Sequence, residues 1–380
     1  MAEKRSIFEE VGEGAKTEAA KPGVIDSGRT GARGAIRAWL IALFALVVVM
    51  IAVGGLTRLT DSGLSITEWA PVTGAVPPLN AEEWEAEFEL YRQIPEYQEQ
   101  NRGMSLAEFK VIYWWEWGHR QLGRFIGLVW AAGFVGFLVA RKIPPGWTGK
   151  LLLLGALGGL QGAIGWWMVA SGLEEGMLDV ASYRLATHLG LAFVILGLIA
   201  WFTFQLSRPQ LALIQARRER DVGLFRLGAV LAALAFIQIL LGALVAGIDA
   251  GRNYTDWPLM AGGFLPPQPF DLEPLWRNFF EDDGLVQFMH RMSGYLLFVV
   301  GIGIWWVARR SPFTAVRGAF GVMAAVMVLQ MLIGIMTVMY SAPWHLAIVH
   351  QLMAVALWVL ILRARFLAGY PPAQSVRGAA

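Results

Sequence analysis

Cysteine is absent from all 380 residues. That excludes disulfides, thiolate-bound zinc, iron–sulfur clusters and covalent c-type heme attachment. Charge is also scarce: Asp, Glu, Lys and Arg make up 16% of the chain while 56% is hydrophobic, against about 25% charged in soluble domains. A net charge of +2 leaves no basic footprint for nucleic acid. The first 35 residues have no apolar core and carry Glu3, Glu9, Glu10, Glu13, Glu18 and Asp26. They fit neither a secretory signal, which needs such a core, nor an organellar transit peptide, which is poor in acids. Residues 1–35 are therefore expected to be a disordered cytoplasmic tail on a bacterial inner-membrane protein.

What the chain does have is apolar runs near the ~20 residues that cross a bilayer. They fall at roughly 36–56, 120–140, 149–170, 186–206, 224–248, 288–308, 314–338 and 344–363. Of the 31 Lys and Arg, seven lie in the tail through Arg37, three in 141–150, five in 207–226, three in 309–317 and three after 362. The other connections, 57–118, 171–185 and 249–287, hold most of the acids. By the positive-inside rule both termini are cytoplasmic and those acidic connections face the periplasm. In the first of them, Ser105 and Glu108 form an S-x-x-E capping box, which predicts a short helix leading into the second span. Trp84, Phe88 and Tyr91 recur at helical spacing, and Tyr113, Trp114, Trp115 and Trp117 precede the span; both sets read as aromatic anchors at the membrane surface.

The sequence repeats itself. His119-Arg120 with Gly123 matches His290-Arg291 with Gly294, and L-Q-x-x-I-G occurs at 160–165 and at 329–334. His188 matches His350, and Asp61, Gly63, Thr67 and Trp69 match Asp249, Gly251, Thr255 and Trp257. Each half has four spans, an even number, so both halves share one orientation and should be related by a pseudo-twofold axis along the membrane normal. The expected fold is an all-α membrane protein with eight transmembrane helices in two four-helix bundles. The N-terminal half covers 36–206, a cytoplasmic linker 207–223, the C-terminal half 224–365 and a cytoplasmic tail 366–380.

Four of the five histidines, His119, His188, His290 and His350, sit at repeat-related positions near the starts of even-numbered spans. Ionisable residues inside spans are costly and usually functional. Paired neutral imidazoles on facing helices suit a b-type heme, whereas a lone membrane histidine is explained by an interhelical hydrogen bond. Zinc or di-iron sites fit less well, since no carboxylate cluster repeats with the histidines. His345 is five residues before His350, hence on another helix face, and reads as structural or supporting. Arg120 and Arg291 suit heme propionates. Arg124 suits either a propionate or the interface, and Arg58 is a weaker candidate. Glu116, one helical turn before His119, has Gln287 as its counterpart. A carboxylate in one half and an amide in the other predicts unequal jobs, proton-coupled chemistry against electron transfer; an interfacial Glu116–Arg120 ion pair is the plainer alternative.

The runs G-G-L-T-R-L-T-D-S-G-L-S-I at 54–66, W-A-P-V-T-G at 69–74, Pro77-Pro78, E-F-K-V-I at 108–112 and E-W-G-H-R-Q-L-G-R at 116–124 resemble the heme A synthase family of the mitochondrial and related bacterial type. The resemblance continues through nearly all of the chain after about residue 35. Other branches carry a cysteine pair, so no thiol-dependent step applies here. The resemblance implies oxidation of a ring methyl of heme o to the formyl of heme a, for cytochrome oxidase. It implies a heme b cofactor on His290 and His350, with Arg291 beside it, and heme o on His119 and His188, with Arg120 and Arg124. Glu116 matches a family carboxylate implicated in the reaction. Membrane lipid, the protoheme farnesyltransferase that makes heme o, and an unidentified redox partner are the implied associates. Without the family, a di-heme electron carrier and a heme transporter or assembly chaperone also fit two histidine pairs.

Overall fold

The structure, a computed structural model, describes residues 32–374. The disordered tail expected over 1–35 therefore lies outside the described residues save for the last four, of which Arg33 already begins a helix. Eight helices are long and apolar enough to cross a membrane: α1 (Arg33–Leu59), α4 (Leu106–Val139), α5 (Thr148–Gly172), α6 (Ser182–Leu206), α8 (Val222–Gly247), α10 (Asp283–Ala308), α11 (Thr314–Met339) and α12 (Trp344–Gly369). Four shorter helices sit in connections: α2 (Ala81–Arg92), α3 (Pro95–Glu99), α7 (Gln210–Arg218) and α9 (Asn278–Glu281). In lipid a helix satisfies every backbone N–H and C=O within its own segment, so long apolar runs have no other choice. Three of the eight starts carry side-chain acceptors: Ser105 receives the Glu108 N–H, Asp221 the Leu224 N–H and Asp282 the Leu285 N–H, filling amide donors that a first turn leaves open.

Two expectations are corrected. The capping box at Ser105 forms, with Glu108 bonded back to the Ser105 N–H at 2.8 Å, but it opens no separate short helix. No breaker stronger than Gly118 lies between it and the apolar run, so one 34-residue helix continues to Val139. Trp84, Phe88 and Tyr91 are buried rather than laid on a membrane surface. Phe88 stacks on Phe109 at 4.8 Å and Trp84 meets Tyr113 edge-on at 4.9 Å, so α2 and the first turns of α4 share a small aromatic core of their own. The linker at 207–223 contains α7, and α12 runs to Gly369, past the expected end of the C-terminal half.

In the N-terminal half α1 packs on α4 and α6, and α5 on α4 and α6; in the C-terminal half α8 packs on α10 and α12, and α11 on α10 and α12. Between halves α6 meets α8 and α12, and α1 meets α12. One apolar core, including Leu40, Leu196, Leu231, Phe320 and Ile361, crosses that junction. Polar pins sit within it. Trp358 donates its indole N–H to the Phe193 carbonyl at 3.0 Å. Gln351 donates to the Ile51 carbonyl at 2.9 Å, an approach that a side chain at Gly55 would block, since an added Cβ there falls 2.3 Å from Gln351 Oε1.

Candidate functional site

A cavity of about 1240 Å³ opens between the helices and touches both halves. His119, His188, His290 and His350 all line it. Its size exceeds the ~300–1,000 Å³ of a usual single-ligand pocket. Each imidazole lies against a glycine on a neighbouring helix. A Cβ at Gly54 would stand 3.0 Å from His119 Nε2; at Gly165, 2.8 Å from His188 Cε1; at Gly242, 3.1 Å from His290 Cε1; at Gly334, 2.8 Å from His350 Cε1. Four polar rings are thus set into four notches that no larger residue would leave open.

Three of the four rings have an amide behind them. Gln161 donates to the backbone carbonyl of His188 at 3.0 Å, Gln238 to that of His290 at 3.0 Å, and Gln330 to that of His350 at 3.1 Å. The same nitrogens lie 3.1–3.4 Å from the ring nitrogens. All three amide oxygens are buried with no partner. An imidazole that ligates a metal through one nitrogen needs an acceptor for the N–H of the other, and these oxygens are of the right kind. Gln161 and Gln330 belong to the repeated L-Q-x-x-I-G motif, yet pattern reading assigned them nothing, and Gln238 escaped notice altogether. The signal was available, since an amide inside an apolar span is itself an expensive choice.

The His290 and His350 ring centroids are 6.5 Å apart and the planes 79° apart. Two imidazoles on opposite faces of one metal, with metal–nitrogen bonds of about 2 Å, put their centroids about 6 Å apart. The pair therefore fits a shared iron. Among the described residues no group of three His, Asp or Glu is arranged to hold a bare metal ion.

Glu116 and Gln287 are both buried, and they bond to their connections in opposite senses. Glu116 Oε2 accepts from Ser65 Oγ and from the Ile66 N–H, each at 2.8 Å. Its Oε1 accepts from Arg120 at 2.6 and 3.1 Å. Gln287 instead donates, to the carbonyls of Ala250 (2.7 Å) and Asn253 (2.6 Å). The ion pair given above as the plainer alternative is formed, and it lies inside the site: both partners line the cavity.

The arginines hold connections to helices. Arg120 donates to the carbonyls of Ile66 and Glu68, and Arg291 to those of Tyr254, Asp256 and Leu259. Arg124 donates to Ala70, Pro71 and the Gln121 side chain. Arg291 keeps its Nε–H buried and unpartnered. Arg58 faces three aspartates, Asp61 at 2.8 Å, Asp249 at 3.0 Å and Asp179 at 3.5 Å, and so links the two halves. His345 is exposed, stands beside Trp344 and does not line the cavity.

Glu96 on α3 was not foreseen. It is 3% exposed, lines the cavity, and its Oε2 has no partner. Burial above all, then Asp179, Glu116 and Asp61, push its carboxyl up to about 8, with Arg58 opposing. The folded chain thus holds a proton there that the unfolded chain gives up near about pH 4.3. Its stabilising effect is complete below that pH and is lost as pH rises through about 8. Between pH 5 and 9 the α2–α3 connection should loosen by a few kcal/mol, read by hydrogen exchange across 80–105. Glu96→Gln should flatten that dependence and exceed wild-type protection at pH 9.

The family model described as "Cytochrome oxidase assembly protein" (COX15-CtaA) matches residues 37–362. Proteins named heme A synthase are similar over the full length. The one from Dinoroseobacter shibae is 68% identical over 100% of both chains. That from Ruegeria pomeroyi is 66% identical over 100% of both, and that from a Jannaschia species 64% over 100% of both.

Proposed function

Because the chain belongs to the cytochrome oxidase assembly protein family, we propose that it is a heme A synthase, an oxidoreductase that converts a ring methyl of heme o to the formyl group of heme a. The observation that carries the division of labour is the opposite bonding of Glu116 and Gln287. One half presents to the cavity a carboxylate fixed by donors, and the other an amide that donates to its connection and cannot ionise.

His290 and His350, whose spacing suits one iron, would hold heme b in the C-terminal half, and Arg291, whose Nε–H has no partner, would offer it to an anionic group of the cofactor. Heme b, once bound, supplies one-electron transfer. The N-terminal half takes heme o on His119 and His188, with Arg120 and Arg124 at the propionate side. In each of two hydroxylations a C–H of the methyl carbon is replaced by C–OH, with water supplying the oxygen, two electrons passing to an external redox partner and two protons released; the resulting gem-diol loses one water to the aldehyde. All four acceptor positions of Glu116 are occupied, so it has no lone pair free to take a proton from water while those bonds stand. Its contribution is a preorganised negative charge facing positive charge that develops at the oxidised carbon. The apolar helix walls receive the farnesyl tail. The protein lies in the bacterial inner membrane with both termini cytoplasmic and the two heme sites towards the periplasm. The two bundles are related by a pseudo-twofold axis, and the farnesyltransferase that makes heme o is the natural donor.

Pigment extracted from the purified protein tests this reading. Heme b together with heme o or heme a is expected. Heme b alone, filling both halves equally, would sink it in favour of a di-heme electron carrier.

A further inference from the structure

We propose that the residue behind the leading histidine of each half, Gln238 for His290 and Met50 for His119, sets which half retains its heme and which releases one. This rests on the reading above, in which the C-terminal half keeps heme b and the N-terminal half exchanges heme o for heme a. The two residues are counterparts. Gln238 lies eleven positions before Asp249, and Met50 eleven before Asp61, its repeat partner. Gly294 and Gly123, each four residues after its histidine, face them. A Cβ on Gly294 would meet Gln238 Nε2 at 3.2 Å, and one on Gly123 would meet Met50 Cε at 3.5 Å. Both side chains line the cavity.

They differ in what they can do for an imidazole. Gln238 donates to the His290 carbonyl at 3.0 Å, stands 3.1 Å from His290 Nδ1, and keeps a buried Oε1 with no partner. It fixes the helix turn, and once the amide turns so that Oε1 in place of Nε2 faces the ring, it can accept the N–H that ligation leaves on the imidazole. A thioether donates nothing and accepts weakly. His119 forms no hydrogen bond through its ring among the described residues, whereas Gln161, Gln238 and Gln330 brace the other three. The C-terminal pair is thus braced on both sides and stands at shared-iron spacing, 6.5 Å. The N-terminal pair is braced on the His188 side alone. Loss of the group that orients a ligating imidazole typically weakens metal binding about 10–100-fold. A resident cofactor needs both braces. A substrate that must enter and leave at every turnover is served by one ligand free to swing.

The test is heme release from the detergent-purified protein, carrying its own hemes, to an excess of apomyoglobin, with each heme identified by extraction over time. Gln and Met have similar length and neither branches at Cβ or Cγ, so each swap stays close to the space of the native side chain. In wild type, heme o and heme a should leave quickly and heme b slowly. Gln238→Met should speed heme b release about 10–100-fold and leave heme o release unchanged. Met50→Gln should slow heme o and heme a release by a similar factor. Unchanged rates in both variants would overturn the role given to this pair. If either variant fails to fold, the other carries the test alone. His290→Ala separates the two levels: loss of heme b alone upholds the assignment of halves, whereas loss of heme o with heme b retained would overturn that assignment itself.

Discussion

Glu116→Gln is expected to yield a protein that folds and fills both heme sites, yet delivers heme o or its hydroxymethyl form in place of heme a. The fold should tolerate the change because Gln287 already occupies the counterpart position, bonded to its connection through carbonyls. At 116, however, the partners are donors. Ser65, the Ile66 N–H and Arg120 all point at the carboxylate. An amide can satisfy them only through its oxygen, and its NH2 must then face at least one of them. Arg120 would keep its bonds to Ile66 and Glu68 while losing its counter-charge. The loss of a preorganised charge that acts in the transition state costs about 10²–10³ in rate. The check is extraction of total heme from cells expressing the variant, together with the absorption spectrum of the pure protein. Wild-type heme a output would defeat the role given to Glu116. Loss of both hemes would mean that the carboxylate serves the fold alone. Glu116→Asp, which restores charge at a shorter reach, should recover part of the output if charge is what matters.

How much of this was legible in the sequence follows from what each signal depends on. A span depends on its own composition, so seven of the eight were placed within about six residues of their helices, while the second, read from 120, belongs to a helix that already starts at Leu106. The connections were read less well because their order comes from tertiary contact. The Trp84, Phe88 and Tyr91 stripe has the same spacing whether it faces lipid headgroups or Phe109 and Tyr113, and only the fold decides between them. The four histidines were found by repetition and rarity, and all four line one cavity. Their glycine notches and glutamine braces were not found, because residues on different helices meet at no fixed sequence interval. Glu96 was hidden for another reason. A glutamate in an acidic connection looks solvated, and its burial is a consequence of how α3 folds back over the cavity. Arg120 shows a third limit, for its sequence position suits a propionate and a carboxylate equally, and the structure has it holding Glu116 and the loop together.

His350→Ala should remove heme b from the C-terminal half and stop heme a production with it. His350 and His290 stand at the separation one iron spans, and no other ring lies against His290 that could replace the lost ligand. The loss should exceed the about 10–100-fold that follows when a ligand merely loses its support. The alanine leaves a hole of imidazole shape between Gly334 and Gln330, and Gln330 Oε1 remains there without a donor. Free imidazole in the buffer should enter that hole and restore both heme b and its six-coordinate absorption spectrum. Gly334→Ala provides the contrast. Its Cβ would lie 2.8 Å from His350 Cε1, so the ring must shift while the space stays filled, and added imidazole should restore nothing. A His350→Ala protein that keeps a six-coordinate heme b spectrum without imidazole would show that the iron is held elsewhere. In that case the 6.5 Å pair would be a packing contact, and the cofactor site would have to be sought among the other cavity residues. Rescue of the alanine variant but not of the notch variant would instead tie the spectrum to ligation at this one ring.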